Sequence, residues 1–258
     1  MKAIISETYG TPNTLKISEV ATPTPKSNEV LIRVHASSLN FGNIVLITGK
    51  PLPVRLAFGI TKPKYRIPGG DMAGIVETIG ANVTRIQVGN EVYGDLSGSG
   101  WGAFAEYVAV DEKVLALKPR NHSFAEAAAV PMAATTALQA IRDKGMVRAE
   151  QKVLIHGASG GVGTFAVQIA KAFGAEVTAV VSTRNVDIAR SLGADHVIDY
   201  KTVDFTKDDQ TYDVILRVTG SHSISTYNRK LKRNGVFINV GGDSNQMFQT
   251  MLNQRGSL

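Results

Sequence analysis

"HGASGGVGTFAVQIAKAFG", residues 156–174, contains five glycines within one otherwise apolar stretch. The segment follows a short apolar run, Lys152–His156, that predicts a strand, and its second half has apolar residues at helical spacing. A second strand candidate, Glu176–Val181, comes directly after it. A strand, a glycine-rich turn, a helix and a second strand in this order are typical of a dinucleotide-binding βαβ unit.

The remainder of the second half repeats this alternation of short apolar strands and helical segments. Strands that are apolar at every position predict a parallel sheet covered on both faces, so we expect a Rossmann-type doubly wound α/β domain. Four cations before Gly235 predict the carboxyl end of a helix capped by that glycine. The four cations are Arg229, Lys230, Lys232 and Arg233. The further elements that we predict are helices ending near Phe173 and Leu192, strands at 196–198, 213–218 and 236–240, and a helix at 223–233.

The first half consists of short strand candidates separated by turns. Residues 30–36, "VLIRVHA", alternate apolar and polar side chains, which places His35 on the outward face. The turn signals "PGGD", "VGNEVYG" and "SGSGWG" divide the strands that follow. We expect a small, partly open β-barrel.

A helix is predicted between the two halves. Ser123 and Glu126 have the spacing of a capping box, which predicts a helix that runs toward Ile141 with a kink at Pro131. We therefore predict two domains, residues 1–121 and residues 122–258.

Composition excludes several classes of protein and site. The absence of cysteine excludes disulfides and thiolate zinc sites, and the five histidines lack metal-ligand spacing, so no metal site is predicted. The net charge of +6 is spread along the chain, which does not indicate nucleic-acid binding. No apolar run is long and uninterrupted enough to span a membrane, and no signal peptide is recognisable. We expect a cytoplasmic protein.

The glycine-rich turn is the predicted cofactor site. Ala158 takes the first glycine's place in the fingerprint, Gly160 and Gly161 let backbone N–H groups approach a pyrophosphate, and Gly163 lets the helix lie close to the strand. Val162, within this turn, and Gly241, after the last strand, are also predicted cofactor contacts.

The end of the second strand decides the predicted dinucleotide. Ser182 stands where an acidic residue would bind the ribose of NAD, and Arg184 with Asn185 supplies a cation and a donor. This pattern favours NADPH, whereas the alternative interpretation is a helix cap with a solvated arginine. Tyr200 is predicted to line the adenine side, with an ordinary half-buried tyrosine as the alternative.

The order of these features resembles the medium-chain dehydrogenase/reductase superfamily, in its zinc-free, zeta-crystallin-like branch of quinone oxidoreductases. The resemblance spans nearly the whole chain and is carried by the segments "SSLNFGN", "PGGDMAG", "VGNEVYG", "AAAVPMAATTAL", "HGASGGVG" and "SLGADHVIDY". It implies a GroES-like catalytic domain joined to the Rossmann domain, and hydride transfer from NADPH to a quinone or an α,β-unsaturated carbonyl.

The resemblance also implies roles for individual residues. Zinc-dependent relatives have Cys and His ligands where this chain has Asn40 and Gly70, so a catalytic zinc is not expected. Asn40 would polarise the substrate carbonyl, with a plain turn asparagine as the alternative. Thr135 and Thr136 would donate to the cofactor, with hydrogen bonds to the preceding helical turn as the alternative. No general acid is evident, so solvent would supply the proton. Asn43 and Arg217 stand where relatives commonly have acids.

The chain ends earlier than the resemblance implies. Family members continue with a further strand, more helices and a return segment, so we expect a Rossmann domain incomplete at its C-terminus and a weakened homodimer. The alternative functional hypothesis is a non-catalytic NADPH-binding protein or an inactive truncated form.

Overall fold

The computed structural model describes residues 1–240, which divide into two compact units. The first unit is Met1–Met132, and the second begins at Ala133.

The first unit is built mainly from antiparallel strands. A five-stranded sheet has the order β6-β3-β4-β5-β7, and β1 pairs with β2 in a separate ribbon. Within the described residues the edge strands β6 and β7 do not pair with each other, so the barrel is partly open, as predicted. The elements are β1 (Lys2–Ile5), β2 (Lys16–Glu19), β3 (Glu29–Ser37), α1 (Phe41–Thr48), α2 (Arg55–Phe58), β4 (Asp71–Ile79), β5 (Glu91–Asp95), β6 (Tyr107–Asp111), β7 (Leu115–Leu117) and α3 (Phe124–Ala128).

The core of this unit follows from the alternation in β3. Val30 and Ile32 are fully buried with Met72 of β4 and Val92 of β5. His35 is exposed on the other face, as predicted, and its ring stacks on Phe124 at 4.5 Å between centroids. Burial of one strand face accounts for the period of two in the sequence.

The second unit is a five-stranded parallel sheet with helices between its strands. The strand order is β10-β9-β8-β11-β12, and every neighbouring pair is parallel. The elements are α4 (Pro131–Leu138), which begins at the end of the first unit, a π-helical turn (Gln139–Lys144), β8 (Lys152–His156), α5 (Gly161–Ala172), β9 (Glu176–Val181), α6 (Val186–Ser191), β10 (His196–Asp199), β11 (Tyr212–Arg217), α7 (Ile224–Arg229) and β12 (Leu231–Asn239).

Both faces of this sheet are covered. Val153 and Ile155 of β8 belong to the cluster that includes Val167 of α5, whereas Leu154 packs on the opposite face with Phe205 and Tyr227. Such two-sided burial explains why the strands have apolar residues at successive positions. The predicted α/β fold class is confirmed.

The predicted helix from Ser123 to Ile141 is correct at its start and wrong in its continuity. The capping box is present, because the Ser123 hydroxyl accepts from the Glu126 N–H and the Glu126 carboxylate accepts from the Ser123 N–H. The helix ends at Ala128, however, and a new one begins at Pro131. Proline lacks an N–H and suits the first turn of a helix, so a break replaces the predicted kink.

The helix predicted at 223–233 is wrong in its last turn. It ends at Arg229, and β12 begins at Leu231. Lys232 and Arg233 therefore lie in a strand, and Asn234, rather than Gly235, has a positive φ, of 73°. Pairing with β11 outweighs the local signal of cations followed by glycine, and the register between the two strands shifts within this segment.

Candidate functional site

The second unit contains a cavity of about 620 Å³ at the carboxyl edge of its parallel sheet. This edge is where open α/β sheets bind their ligands. Sixteen residues line the cavity: His156, Gly157, Ser159, Val180, Val181, Ser182, Arg184, Asn185, Tyr200, Val203, Asp204, Phe205, Thr219, Gly220, Ser221 and His222. A cavity of similar volume in the first unit, among residues 59–64, contains no predicted site residue.

The glycine-rich turn begins at this cavity and leads into α5. The N–H groups of Gly157 and Ala158 donate to the Val180 carbonyl, at 3.1 and 3.3 Å, which ties the turn to β9. The N–H groups of Gly161 and Val162, at the start of α5, have no acceptor within residues 1–240. Unsatisfied N–H groups and the helix dipole favour an anion at this point.

The structure shows why position 163 is a glycine, as the spacing of the fingerprint predicted. A Cβ on this residue would collide with the Gly157 carbonyl oxygen and lie 2.7 Å from the Ala158 Cα. At Gly160 and Gly161 the nearest atoms to such a Cβ are 3.6 and 3.8 Å away, so no protein atom requires glycine there. Gly163 therefore allows α5 to pack closely on the turn that follows β8, and Gly160 and Gly161 leave space free.

Asn185 connects the turn to the end of β9. Its amide Nδ2 donates to the Ser159 hydroxyl at 3.0 Å and to the Ser182 hydroxyl at 3.1 Å. Although Ser182 and Asn185 occupy N-cap positions, neither side chain caps its helix. This geometry does not support the alternative interpretation of the segment as a simple helix cap.

Arg184 and Tyr200 are exposed residues at the same cavity. Arg184 forms no ion pair with any residue in the range 1–240. Tyr200 follows β10, and the Lys201 Nζ lies 5.5 Å from its ring centroid. Asp204 also lines the cavity, and its carboxylate accepts from the Thr206 N–H and hydroxyl.

His156 is a cavity residue that sequence reasoning missed. It was predicted only as the last residue of a strand, but its buried ring lines the cavity and bonds to Tyr227, whose hydroxyl lies 2.8 Å from Nδ1. Burial, and then the charges of His222 and Arg217, lower the pKa of His156 to about 4. Its position at the carboxyl end of the strand before the glycine-rich turn was the signal available in the sequence.

In the first unit, Asn40 is bonded to a buried carboxylate. Asn40 precedes α1, and its Nδ2 donates to the Asp71 Oδ2 at 3.4 Å. The carboxylate also accepts from the Ser38 hydroxyl at 3.1 Å and from the Met132 N–H at 3.2 Å. The Asn40 Oδ1 is buried without a hydrogen-bond partner among the described residues.

The Asp71 carboxyl group has a strongly raised pKa. Burial and the nearby Asp95 carboxylate raise the pKa of Asp71 to about 6, against the opposing effect of its hydrogen bonds. Asp71 therefore changes charge close to neutral pH, next to the predicted catalytic asparagine.

Two predicted residues are not part of these clusters. Thr135 is exposed on α4, and Gly241 lies outside the described residues. No group of three or more His, Asp or Glu within residues 1–240 is placed to hold a metal ion. In the same range no helix has the length and apolarity needed to cross a membrane.

Comparison with known proteins identifies the family. Residues 26–120 match the family model of the alcohol dehydrogenase GroES-like domain, and residues 161–255 match that of the zinc-binding dehydrogenases. The chain is 35% identical over 244 residues to the chloroplast envelope quinone oxidoreductase homolog of Arabidopsis thaliana, which covers 89% of this chain and 71% of that protein. The chain belongs to the quinone oxidoreductase branch of the medium-chain dehydrogenase/reductase superfamily.

Other relatives agree with this assignment. The chain is 38% identical over 233 residues to the 2-methylene-furan-3-one reductase of Solanum lycopersicum, covering 85% of this chain and 57% of that protein. The structure of the quinone oxidoreductase from Coxiella burnetii superposes with a TM-score of 0.87 at 30% identity, covering 98% of this chain and 78% of that one. The chain thus spans just over half the length of the tomato relative. The predicted family and fold class are confirmed.

Proposed function

We propose that this protein transfers hydride from NADPH to a quinone or to the β-carbon of an α,β-unsaturated carbonyl. The observation that carries the proposal is the position of Arg184, at the cavity beside the glycine-rich turn and without an ion pair in the described part of the chain. An unpaired guanidinium at the end of the second Rossmann strand suits the 2′-phosphate that distinguishes NADPH from NADH.

The residues of the second unit fit a dinucleotide. The start of α5 offers free N–H groups for a pyrophosphate, and the open space at Gly160 and Gly161 lets a ligand reach the backbone. The cavity volume of about 620 Å³ is within the range of small-molecule sites. One curated relative, from Arabidopsis thaliana and 38% identical over 234 residues, is named an NADPH-dependent alkenal/one oxidoreductase.

The first unit supplies features that suit an apolar, carbonyl-bearing substrate. Large apolar side chains within residues 39–60 are exposed instead of buried, which is typical of surfaces that bind apolar ligands. They are Leu39, Phe41, Ile44, Leu52, Leu56 and Ile60. We assign Asn40 the role of polarising the substrate carbonyl through an amide N–H, with Asp71 anchoring the amide.

The proposed reaction does not use zinc. Asn40 and Gly70 stand at the positions where zinc-dependent relatives have ligands, and neither a glycine nor a carboxamide beside a carboxylate makes a zinc site. When bound, NADPH supplies the hydride, while the protein orients the reactants and excludes water. Solvent supplies the proton. A cytoplasmic location and a homodimer stay predictions.

Arg184→Ala tests the cofactor assignment. Because a charge-assisted contact would be lost, we expect the Kd of NADPH to rise about 10-fold and the Kd of NADH to change less than about 2-fold. Arg190→Ala is the matched control, since Arg190 is exposed on α6, pairs with Asp187 at 3.5 Å and does not line the cavity. Equal losses for NADPH and NADH, or equal losses in both variants, would contradict the assignment.

A further inference from the structure

His156 and Tyr227 form a hydrogen-bonded pair beneath the nucleotide cavity. The Tyr227 hydroxyl lies 2.8 Å from the His156 Nδ1, although 71 residues separate the two in sequence. Tyr227 is fully buried between the rings of Phe205 and Phe237, which stack on it at 5.9 and 5.2 Å. Such packing holds the hydroxyl in place.

The direction of the hydrogen bond follows from the charge states of the two groups. Burial raises the pKa of Tyr227 to about 12 and lowers the pKa of His156 to about 4, so both are neutral at pH 7. The Tyr227 hydroxyl has no other hydrogen-bond partner within residues 1–240. It therefore donates to Nδ1, and a neutral imidazole that accepts at Nδ1 has its proton on Nε2.

The remaining edge of the imidazole is available to a ligand. The Nε2 of His156 has no hydrogen-bond partner among the described residues, and the ring lines the cavity next to Gly157. Burial, and then the charges of His222 and Arg217, lower the pKa of His156 and so keep a second proton off the ring. The side chain thus presents a neutral N–H donor where an oxygen-rich ligand would lie.

Gly220 makes the arrangement possible. Its φ is +144°, and a Cβ there would lie 2.6 Å from the Tyr227 hydroxyl and 3.0 Å from the His156 Nδ1. Any larger residue would displace one member of the pair. The Gly220 carbonyl also accepts from the Arg217 guanidinium at 2.9 Å, which ties the loop after β11 to the strand.

We propose that Tyr227 fixes His156 as an Nε2–H donor and that this donor binds an oxygen of the ribose or pyrophosphate of the dinucleotide. His156 is then a cofactor-binding residue, and Tyr227 is a positioning residue that acts through it. The inference rests on the proposed function, because it requires NADPH in this cavity.

Nitrogen-15 NMR of the chain with isotope-labelled histidines tests the tautomer of His156 directly. The resonances of His156 are assigned by their loss in His156→Gln. We expect an unprotonated Nδ1 and a protonated Nε2 in the wild type, and a shifted Nε2–H resonance with slower exchange after NADPH is added. A proton on Nδ1, or an Nε2–H resonance that NADPH leaves unchanged despite saturation, overturns the inference.

Tyr227→Phe separates positioning from packing, because it removes only the hydroxyl. We expect a mixture of His156 tautomers and a 2- to 10-fold rise in the Kd of both NADPH and NADH, the range of one neutral hydrogen bond. Tyr212→Phe is the control, since Tyr212 is buried in the same apolar cluster, bonds to Thr178 and does not line the cavity. Its Kd values should equal those of the wild type.

The fragment ADP, used as a second probe, locates the acceptor. An equal loss of affinity for ADP and NADPH in Tyr227→Phe places the oxygen in the shared ADP portion, whereas a loss for NADPH alone places it in the nicotinamide riboside. Both results support the inference. If folded Tyr227→Phe keeps the wild-type Kd values and the wild-type His156 tautomer, the role of the His156–Tyr227 pair is wrong but the proposed function stands. If the wild type binds no NADPH, both the role of the pair and the proposed function are wrong.

Discussion

Replacement of Gly163 by alanine separates the glycine that packs the helix from the glycines that leave room for a ligand. The added Cβ would collide with the Gly157 carbonyl oxygen and approach the Ala158 Cα and carbonyl carbon to 2.7 and 2.8 Å. All three obstructing atoms belong to the backbone of the turn that follows β8, so α5 must move away from that turn. Overpacking of this kind costs about 1–3 kcal/mol, and immobile neighbours place Gly163→Ala at the upper end.

The gain in helix propensity offsets part of that cost. Alanine is about 1 kcal/mol better than glycine within a helix, so the net destabilisation is about 2 kcal/mol. For a unit of this size that loss lowers Tm by roughly 6 °C. Gly161→Ala is the matched control, because its Cβ would meet only the Ala133 Cβ, at 3.8 Å, and we expect its stability to be unchanged or raised by up to about 1 kcal/mol.

Thermal unfolding followed by circular dichroism and by fluorescence measures both effects. Trp101, the single tryptophan, lies in the first unit, so its fluorescence reports on the unit that is not mutated. For Gly160→Ala we expect normal unfolding and at least about 10-fold weaker NADPH binding, since the methyl group occupies the space left for the pyrophosphate. A Gly163→Ala protein as stable as Gly161→Ala would show that the close packing of α5 does not require glycine at position 163.

The remaining predictions concern pH and helix capping. The pKa of Asp71 is raised from an ordinary 3.8 to about 6, so between these two pH values the folded first unit holds a proton on Asp71 that the unfolded chain has lost. The free energy of unfolding of this unit therefore falls by up to about 3 kcal/mol as the pH rises from 4 to 6. Trp101 fluorescence in urea should show this fall in the wild type and lose it in Asp71→Asn. The pKa of His156 is lowered to about 4, which has the opposite effect: the free energy of unfolding of the second unit rises by up to about 3 kcal/mol between pH 4 and 6.5. Hydrogen exchange of the β8 amides should show this rise in the wild type and not in His156→Phe. Ser123→Ala removes both the hydroxyl cap and its bond to Glu126, and should lower the unfolding free energy by about 1 kcal/mol in the urea assay, whereas an unchanged value would show that the capping box contributes nothing.

Strands and helix starts were predicted well where the sequence signal for them lies within a few consecutive residues. β8 and β9 are short apolar runs that end near glycine or a polar turn, and both were predicted with the bounds that the structure shows. The capping box at Ser123 was readable for the same reason, since donor and acceptor are three residues apart. Such interactions close within one helical turn and leave a fixed spacing in the sequence.

The errors arise where distant pairing competes with a local signal. Two of the four cations that predicted a helix end at 233, Lys232 and Arg233, lie instead in β12, which pairs with β11. The hydrogen bond between His156 and Tyr227 and the burial of Asp71 beside Asn40 depend on residues 71 and 31 positions apart. No spacing rule anticipates contacts of this kind, so the sequence predicted the glycine-rich turn as a cofactor site but not the His156–Tyr227 and Asn40–Asp71 contacts.

NADPH oxidation by the purified chain tests the proposed hydride transfer. The loss of NADPH absorbance is followed with a panel of quinones and α,β-unsaturated carbonyls, with NADH run in parallel and Arg184→Ala as the comparison protein. We predict oxidation that depends on the acceptor, is faster with NADPH than with NADH, and loses this preference in Arg184→Ala. A folded wild-type chain that binds NADPH but oxidises it with none of the acceptors would contradict the proposed activity.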